Sequence, residues 1–139
     1  MKWYFQALRK YAVFGGRAGR KEWWMFGLIY LAILFALKGI DILLGMFDHH
    51  GWYGVMTGYG VLSGLYSIGT IVPTVAVSVR RLHDTDRSGW WYFIIFIPLF
   101  GVAQLLLWMA QKGQPDDNRY GPPAQAPLLR GLIGTQGDL

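Results

Sequence analysis

The residues best suited to chemistry lie in one short polar segment of this chain, between two apolar stretches. Residues 80 to 89 read Arg-Arg-Leu-His-Asp-Thr-Asp-Arg-Ser-Gly. Arginines bind phosphate, and the free N–H groups of a following helix, which Ser88 would cap, also favour anions. Two more arginines, Arg17 and Arg20, lie shortly before the first apolar stretch, at the same predicted membrane level. We therefore predict a lipid phosphate pocket, built from Arg17, Arg20, Arg80, Arg81, Ser88 and Gly89.

Two other interpretations fit the same segment. In the first, its arginines and those upstream pair with Glu22, Asp84 and Asp86, and the ion pairs join the segment to the N-terminal residues. In the second, His83 beside Asp84 acts as acid or base on a phosphoester held by the arginines. The chain has no cysteine and no HExxH, GxSxG or GxxxxGK[ST] motif, so we expect no enzyme activity, cofactor or metal site.

A second polar pair, Lys38 and Asp41, interrupts an otherwise apolar stretch. Residues three apart share one face of a helix, so these two side chains can pair. A charge in the middle of a membrane costs about 2.5 to 3.5 kcal/mol, which makes such residues functional candidates. We interpret them as a structural ion pair inside the membrane, with a transport or proton path as the alternative.

Three apolar stretches surround these residues, at about 23–47, 53–79 and 90–110. Each exceeds the roughly 20 residues that a helix needs to cross a bilayer. None shows the polar stripe of a soluble amphipathic helix. The sequence predicts an all-α membrane protein with three transmembrane helices.

The positions of the charges that make up the net charge of +5 predict the orientation of these helices. Six bases and one acid precede the first span, so the excess indicates topology rather than a nucleic-acid partner. Short basic segments stay in the cytoplasm, which places the N-terminus and the loop at 80–89 inside. Three spans would then put the C-terminus outside. Pro98 and Gly101 interrupt the third span, and a re-entrant segment that returns the tail to the cytoplasm is the alternative.

The two ends of the chain differ in composition. Residues 1–22 are basic and predict an interfacial amphipathic helix with Trp3, Tyr4, Ala7, Leu8, Tyr11 and Phe14 on its apolar face. Residues 112–139 are rich in Gly and Pro and predict an irregular tail. In the second span, two GxxxG pairs permit close helix packing within the bundle or in a homo-oligomer, at Gly54, Gly58, Gly60 and Gly64.

From Trp3 to about Pro122 the chain resembles the small bacterial inner-membrane proteins known as domain of unknown function 805. The resemblance rests on Phe14-x-Gly16-Arg17-x-x-Arg20-Lys21-Glu22-x-Trp24, Arg80-Arg81-Leu82-His83-Asp84-Thr85, Arg87-Ser88-Gly89-Trp90-Trp91, Lys112-Gly113 and Asn118-Arg119-Tyr120-Gly121-Pro122. The chain departs from the family's pattern at two places. Asp117 stands where the family tends to have a small residue before the Asn, and Pro122-Pro123 replaces an Asp-Pro ending.

The resemblance implies an integral protein of the bacterial cytoplasmic membrane and brings no known activity, cofactor or ligand. Our leading hypothesis is a non-enzymatic membrane protein whose cytoplasmic arginines bind anionic phospholipid or a membrane partner. The alternatives are an enzyme that acts on a lipid-linked phosphate through His83 and Asp84, and a small transporter or channel subunit that uses Lys38 and Asp41.

Overall fold

The computed structural model describes residues 2–45 and 60–124, and its regular structure is helical. The α-helices are α1 (Lys2–Arg9), α2 (Arg20–Leu43), α3 (Val61–Asp84) and α4 (Phe100–Ala110), with a 3₁₀ helix (Gly89–Phe96) before α4. Over the described residues the sole β-type pairing is an isolated bridge between Asn118 and Gly121. The prediction of an all-α protein is confirmed.

Helices α2 and α3, the longest elements that the structure describes, form an antiparallel hairpin. Each has 24 residues, or about 36 Å of helix, against a hydrocarbon core of about 30 Å. By length and composition, both could cross a membrane. The first span starts three residues earlier than predicted and ends at Leu43. The predicted start of the second span and the loop with Asp48, His49 and His50 lie outside the described residues.

Helix α3 continues through Pro73 without a break. Proline has no N–H group, so the carbonyl of Gly69, four residues earlier, loses its helical partner. The hydroxyl of Tyr11 donates a hydrogen bond of 2.5 Å to that carbonyl oxygen. A residue of the N-terminal segment thus satisfies the backbone group that the proline leaves unpaired.

The prediction of a third continuous spanning helix over 90–110 is wrong. The 3₁₀ helix ends at Phe96, and α4 has only 11 residues, about 16 Å, or half of the bilayer core. Between them the Phe100 N–H donates to the Pro98 carbonyl at 2.7 Å, and Leu99 has a φ of 61°. This tight turn reverses the chain, so that Trp91 of the 3₁₀ helix contacts Trp108 of α4, with ring centres 5.5 Å apart.

The described tail, residues 111–124, returns to the end of the molecule that holds the start of α2 and the end of α3. The Gln114 N–H donates to the Asp84 carbonyl at 2.9 Å, and the Asn118 side-chain amide donates to the His83 carbonyl, also at 2.9 Å. These bonds place the described tail at the same end of the hairpin as the N-terminal segment, which the re-entrant alternative expects and the prediction of an outside C-terminus does not. The side of the membrane on which the tail lies stays a prediction. Residues 112–124 contain no helix, as predicted for this part of the tail.

Helix α1 packs against α2 and α3. Tyr4 and Ala7 are buried in a core cluster with Phe26 and Val77, which confirms that this face of the helix is the apolar one. The Tyr4 hydroxyl lies 3.0 Å from that of Tyr66, which is in α3. Tyr4 and Ala7 of the predicted apolar face therefore contact protein, rather than lipid as an interfacial helix would have it. Helix α1 ends at Arg9, so Tyr11 and Phe14, each 43% exposed, lie beyond it.

Candidate functional site

The carboxylate of Asp84, the last residue of α3, is the centre of the polar cluster. Its Oδ1 accepts a hydrogen bond of 2.9 Å from Nε of Arg17, and its Oδ2 accepts one from Nη1 of Arg81. All three side chains are buried. A Cβ atom on Gly113 would collide with this carboxylate, so the tail approaches Asp84 as closely as glycine permits.

Backbone carbonyls of the tail complete the shell around Arg17. Its Nη1 donates to the carbonyls of Asp116 at 2.8 Å and Gly121 at 3.3 Å, and its Nη2 donates to that of Gln114. A guanidinium has five N–H donors in a fixed plane, which suits it to collect several acceptors at once. Arg17 therefore holds the tail against the end of α3.

Arg81 connects α3 to the end of α4. Its Nε donates to the Met109 carbonyl at 3.1 Å, and its Nη2 donates to the Gln111 carbonyl. The last carbonyls of a helix have no partners within it and carry partial negative charge. Arg81 satisfies these groups with a positive charge, which fixes where α4 ends.

Arg80 points to α2 instead. Its Nη1 donates to the Glu22 carboxylate at 3.0 Å, and both side chains are buried. Within the part of the chain that the structure describes, its Nη2 has no hydrogen-bond partner. Adjacent arginines on one helix thus reach different elements.

The ion-pair interpretation is confirmed for Arg17, Arg80 and Arg81. Three buried guanidiniums face two carboxylates, and main-chain carbonyls supply the other acceptors. Asp86 pairs with Arg119, across the surface, at 3.1 Å. Burying these charges is tolerable because each guanidinium is paired with a carboxylate. In the described ranges, protein groups therefore occupy the three arginines, except for Nη2 of Arg80.

The residues predicted to bind a lipid phosphate fall into three places. Arg17, Arg80 and Arg81 are in the buried cluster. Arg20 is exposed, and it lines a cavity of about 270 Å³ together with Lys112, Gly113 and Gln114. Ser88 and Gly89 lie in a separate groove with His83. Ser88 accepts a hydrogen bond of 3.4 Å from the Trp90 N–H and so caps the 3₁₀ helix, as predicted for the start of that segment.

The cavity beside Arg20 combines two cations with the start of a long helix. Gly19, the residue before α2, offers no side chain to cap it, so the first N–H groups of α2 carry partial positive charge without a capping oxygen. Among the described residues, neither Arg20 nor Lys112 forms an ion pair.

The two residues proposed for acid or base chemistry are held differently. Asp84 is engaged by two arginines. The His83 ring stacks on Tyr120, with ring centres 3.7 Å apart and planes within 3°, and its Nδ1 lies 3.2 Å from the Gly16 carbonyl oxygen. The carboxylate and the imidazole are therefore turned toward different neighbours.

Asp41 lies at the opposite end of the helical hairpin. Its buried carboxylate accepts 2.9 Å hydrogen bonds from the N–H groups of Leu62 and Ser63, in the first turn of α3. It thus caps α3 from another helix, and Gly60 leaves the space for it, since a Cβ there would collide with Asp41. The pairing of Lys38 with Asp41 stays a prediction.

Gly60 and Gly64 are buried inside one copy of the chain, while Gly54 and Gly58 lie outside the described residues. Gly60 serves the contact with Asp41 between α2 and α3. A homo-oligomer through this stretch stays a prediction.

Sequence reasoning missed the contribution of the tail. Lys112 in the cavity, Gln114 and Asn118 in the hydrogen-bond network, and Tyr120 on His83 all lie in residues that were interpreted as an irregular tail. The signal was present, since Lys112-Gly113 and Asn118-Arg119-Tyr120-Gly121-Pro122 are among the motifs that carry the family resemblance.

Comparison with known proteins gives one family and several relatives. The family model described as Protein of unknown function (DUF805) matches residues 11–122. The chain is 42% identical to "Inner membrane protein YhaH" of Escherichia coli (strain K12) over 122 residues, which are 88% of this chain and 95% of that protein. It is 40% identical to "Inner membrane protein YhaI" of the same strain over 121 residues, 87% and 93% of the two chains.

A third relative, "Uncharacterized protein YiiR" of Escherichia coli (strain K12), is 33% identical over 137 residues, 90% of this chain and 80% of that protein. No solved structure matches the chain. The names of the first two relatives and the two long apolar helices together support an integral membrane protein.

Proposed function

Since the chain belongs to the family Protein of unknown function (DUF805), two relatives of which are named inner membrane proteins, we propose a multi-pass inner membrane protein that binds an anionic phospholipid headgroup at its cytoplasmic face. Helices α2 and α3 cross the membrane, and the 3₁₀ helix and α4 form a re-entrant hairpin. The N-terminal segment and the described tail both lie in the cytoplasm.

The distribution of basic residues supports this topology. Six bases precede α2 or lie in its first two residues. Three more, Arg80, Arg81 and Arg87, lie at or just after the end of α3, which is at the same end of the hairpin. With the tail folded back by Arg17 and Asp84, Lys112 and Arg119 join them. All of these positive charges then lie on one side, as the positive-inside rule expects for the cytoplasm.

The observation that carries the headgroup site is the cavity between Arg20 and Lys112. Two flexible cations flank a space of about 270 Å³, at the level where α2 enters the bilayer. A phosphodiester there would gain charge-assisted hydrogen bonds from both side chains and favourable interaction with the N-terminus of α2. The buried arginines do not bind the lipid in this proposal; they hold Lys112 opposite Arg20.

Enzymatic action on a lipid-linked phosphate has weaker support. A general base needs a carboxylate or imidazole free to take a proton beside the bound phosphate. Asp84 lines the same cavity, but its oxygens accept hydrogen bonds from Arg17 and Arg81. We therefore favour binding over catalysis.

The test measures lipid retained by the protein. The full chain is purified in mild detergent from membranes that contain phosphatidylglycerol, and bound phospholipid is quantified by native mass spectrometry. We expect Arg20→Ala with Lys112→Ala to retain at least about tenfold less phosphatidylglycerol, because two charge-assisted hydrogen bonds are lost.

The matched control is Arg9→Ala with Arg119→Ala, which removes the same charge from exposed positions away from the cavity. It should keep most of the bound lipid. Equal retention in both double variants would contradict the proposed site, and so would equal retention of phosphatidylcholine and phosphatidylglycerol by the unmodified chain at matched concentrations.

A further inference from the structure

A groove of about 410 Å³ lies next to the buried arginine cluster and takes no part in it. Its walls come from the end of α3, the 3₁₀ helix, the N-terminal segment and the tail, through Phe14, Val79, Phe93 and Tyr120. Its polar groups are His83 and Ser88. The volume falls within the range of small-molecule sites, about 300 to 1,000 Å³, which are mostly apolar with a few placed polar groups.

The surroundings of His83 orient its ring in this groove. Stacking on Tyr120 fixes the plane of the ring, and Nδ1 lies against the Gly16 carbonyl oxygen. A carbonyl only accepts, so Nδ1 carries the proton and Nε2 of the neutral imidazole is an acceptor. A Cβ built on Gly89 would lie 3.5 Å from Nε2, which places that nitrogen at the start of the 3₁₀ helix.

Ser88 supplies the complementary group. Its oxygen accepts from the Trp90 N–H at 3.4 Å, and its own hydroxyl hydrogen is available to donate. The groove thus offers an acceptor on His83 and a donor on Ser88. A ligand hydroxyl group can satisfy both, because it donates through its hydrogen and accepts through its oxygen.

Charge narrows the class of ligand. None of the residues that line the groove is Lys, Arg, Asp or Glu. The nearby guanidinium of Arg119, 5.0 Å from the centre of the Tyr120 ring, pairs with Asp86, so a phosphate or an ammonium group would find no unpaired counter-charge at this groove in the described part of the chain. The apolar surface continues outward along the 3₁₀ helix, where Trp90, Phe93 and Phe96 are exposed. In a membrane protein such a surface meets acyl chains.

We propose that this groove binds the hydroxyl end of a neutral monoacylglycerol. One of the two free hydroxyls of the glycerol donates to Nε2 of His83 and accepts from Ser88. The acyl chain follows Phe14, Val79 and Phe93 toward the bilayer. The site is separate from the cavity of Arg20 and Lys112 and differs from it in ligand charge.

The experiment uses the full chain in phosphatidylcholine nanodiscs and a monoacylglycerol whose acyl chain carries a diazirine. Irradiation should label residues that line the groove. Unlabelled monooleoylglycerol should compete at about fivefold lower concentration than methyl oleate, because methyl oleate has the chain but no hydroxyl to bond with His83 and Ser88.

Two variants and one control make the result specific. His83→Phe keeps a ring that can stack on Tyr120 but removes the acceptor and leaves the Ser88 donor, so the advantage of monooleoylglycerol over methyl oleate should shrink. Val79→Phe fills the groove and should abolish labelling. Leu65→Phe adds similar bulk at an exposed position of the same helix and should label normally.

The competition experiment on the unmodified chain tests the proposal without any variant. Equal competition by monooleoylglycerol and methyl oleate, or labels that map outside the groove, would overturn the proposal. Arg20→Ala with Lys112→Ala should leave the labelling unchanged, so failure at one lipid site is distinguishable from failure at the other. Thermal unfolding of each variant confirms that it is folded.

Discussion

At the scale of residues, the motif Arg80-Arg81-Leu82-His83-Asp84 divides its side chains among different neighbours. Successive residues of a helix are rotated by about 100°, so Arg80 reaches Glu22 in α2 whereas Arg81 reaches the end of α4. Arg81 and Asp84 are three apart and pair on one face. One turn of helix therefore joins α2, α4, the N-terminal segment and the tail.

The Asp84 carboxylate should be the most sensitive charge in the molecule. In Asp84→Asn the side-chain amide cannot compensate two buried guanidiniums, and breaking a buried pair costs about 3 to 5 kcal/mol. We expect the free energy of unfolding, measured by denaturant titration in detergent micelles, to fall by that amount.

Asp86→Asn is the matched control, because Asp86 pairs with Arg119 where the two side chains are 41% and 60% exposed. Exposed pairs contribute about 0 to 1 kcal/mol, so this variant should stay close to the unmodified chain. Similar losses in the two variants would show that the burial of Asp84 does not govern its contribution.

The sequence predicted the ion-pair partners of this cluster, because opposite charges lay at suitable positions in the N-terminal segment and the loop. These ion pairs were one of several interpretations. The sequence could not decide among them. The choice depends on main-chain carbonyls of Gln114, Asp116 and Gly121 around Arg17, and carbonyls are common to every residue type. Hydrogen bonds to main-chain carbonyls therefore cannot be predicted from residue types before the fold is known.

At the scale of elements, the helical hairpin is held at its two ends by different polar contacts. Near the start of α2, the buried ion pair of Glu22 with Arg80 connects it to α3. At the other end, Asp41 of α2 caps the first turn of α3. In an apolar environment unsatisfied N–H groups cost several kcal/mol, so this cap fixes where α3 begins relative to α2.

The cap gives a prediction that separates its role from that of charge. Asp41→Ala should lower the free energy of unfolding by about 1 to 2 kcal/mol, the usual loss of an N-cap. Asp41→Asn should lose less, because its one amide oxygen can keep one of the two hydrogen bonds to Leu62 and Ser63. Denaturant titration in detergent measures both, and equal losses in the Asn and Ala variants would contradict this role of the cap.

The elements also show where a long apolar run fails to predict a spanning helix. Long apolar runs correctly indicated α2 and the described part of α3, because helices that long must satisfy their own backbone in a membrane. The run at 90–110 has the same composition, but Pro98 and the φ of 61° at Leu99 turn the chain back. Composition predicts that a segment avoids water, and local backbone geometry decides whether it crosses.

At the scale of the whole molecule, both proposed lipid sites require that the tail and the N-terminal segment lie at one membrane face. The hydrogen bonds of Arg17 and Asp84 to the tail bring Lys112 beside Arg20 and Tyr120 onto His83. Each proposed lipid site thus includes a residue of the tail. Without that return, neither site would exist.

Labelling of single cysteines tests this directly, because the chain has no cysteine of its own. We choose the exposed positions Ala12→Cys in the N-terminal segment, Asp117→Cys in the tail and Leu44→Cys at the far end of the hairpin. Intact spheroplasts are treated with a maleimide that cannot cross the membrane. We predict that only Leu44→Cys reacts, and that Ala12→Cys and Asp117→Cys react after permeabilisation; labelling of Asp117→Cys together with Leu44→Cys in intact spheroplasts would contradict the account.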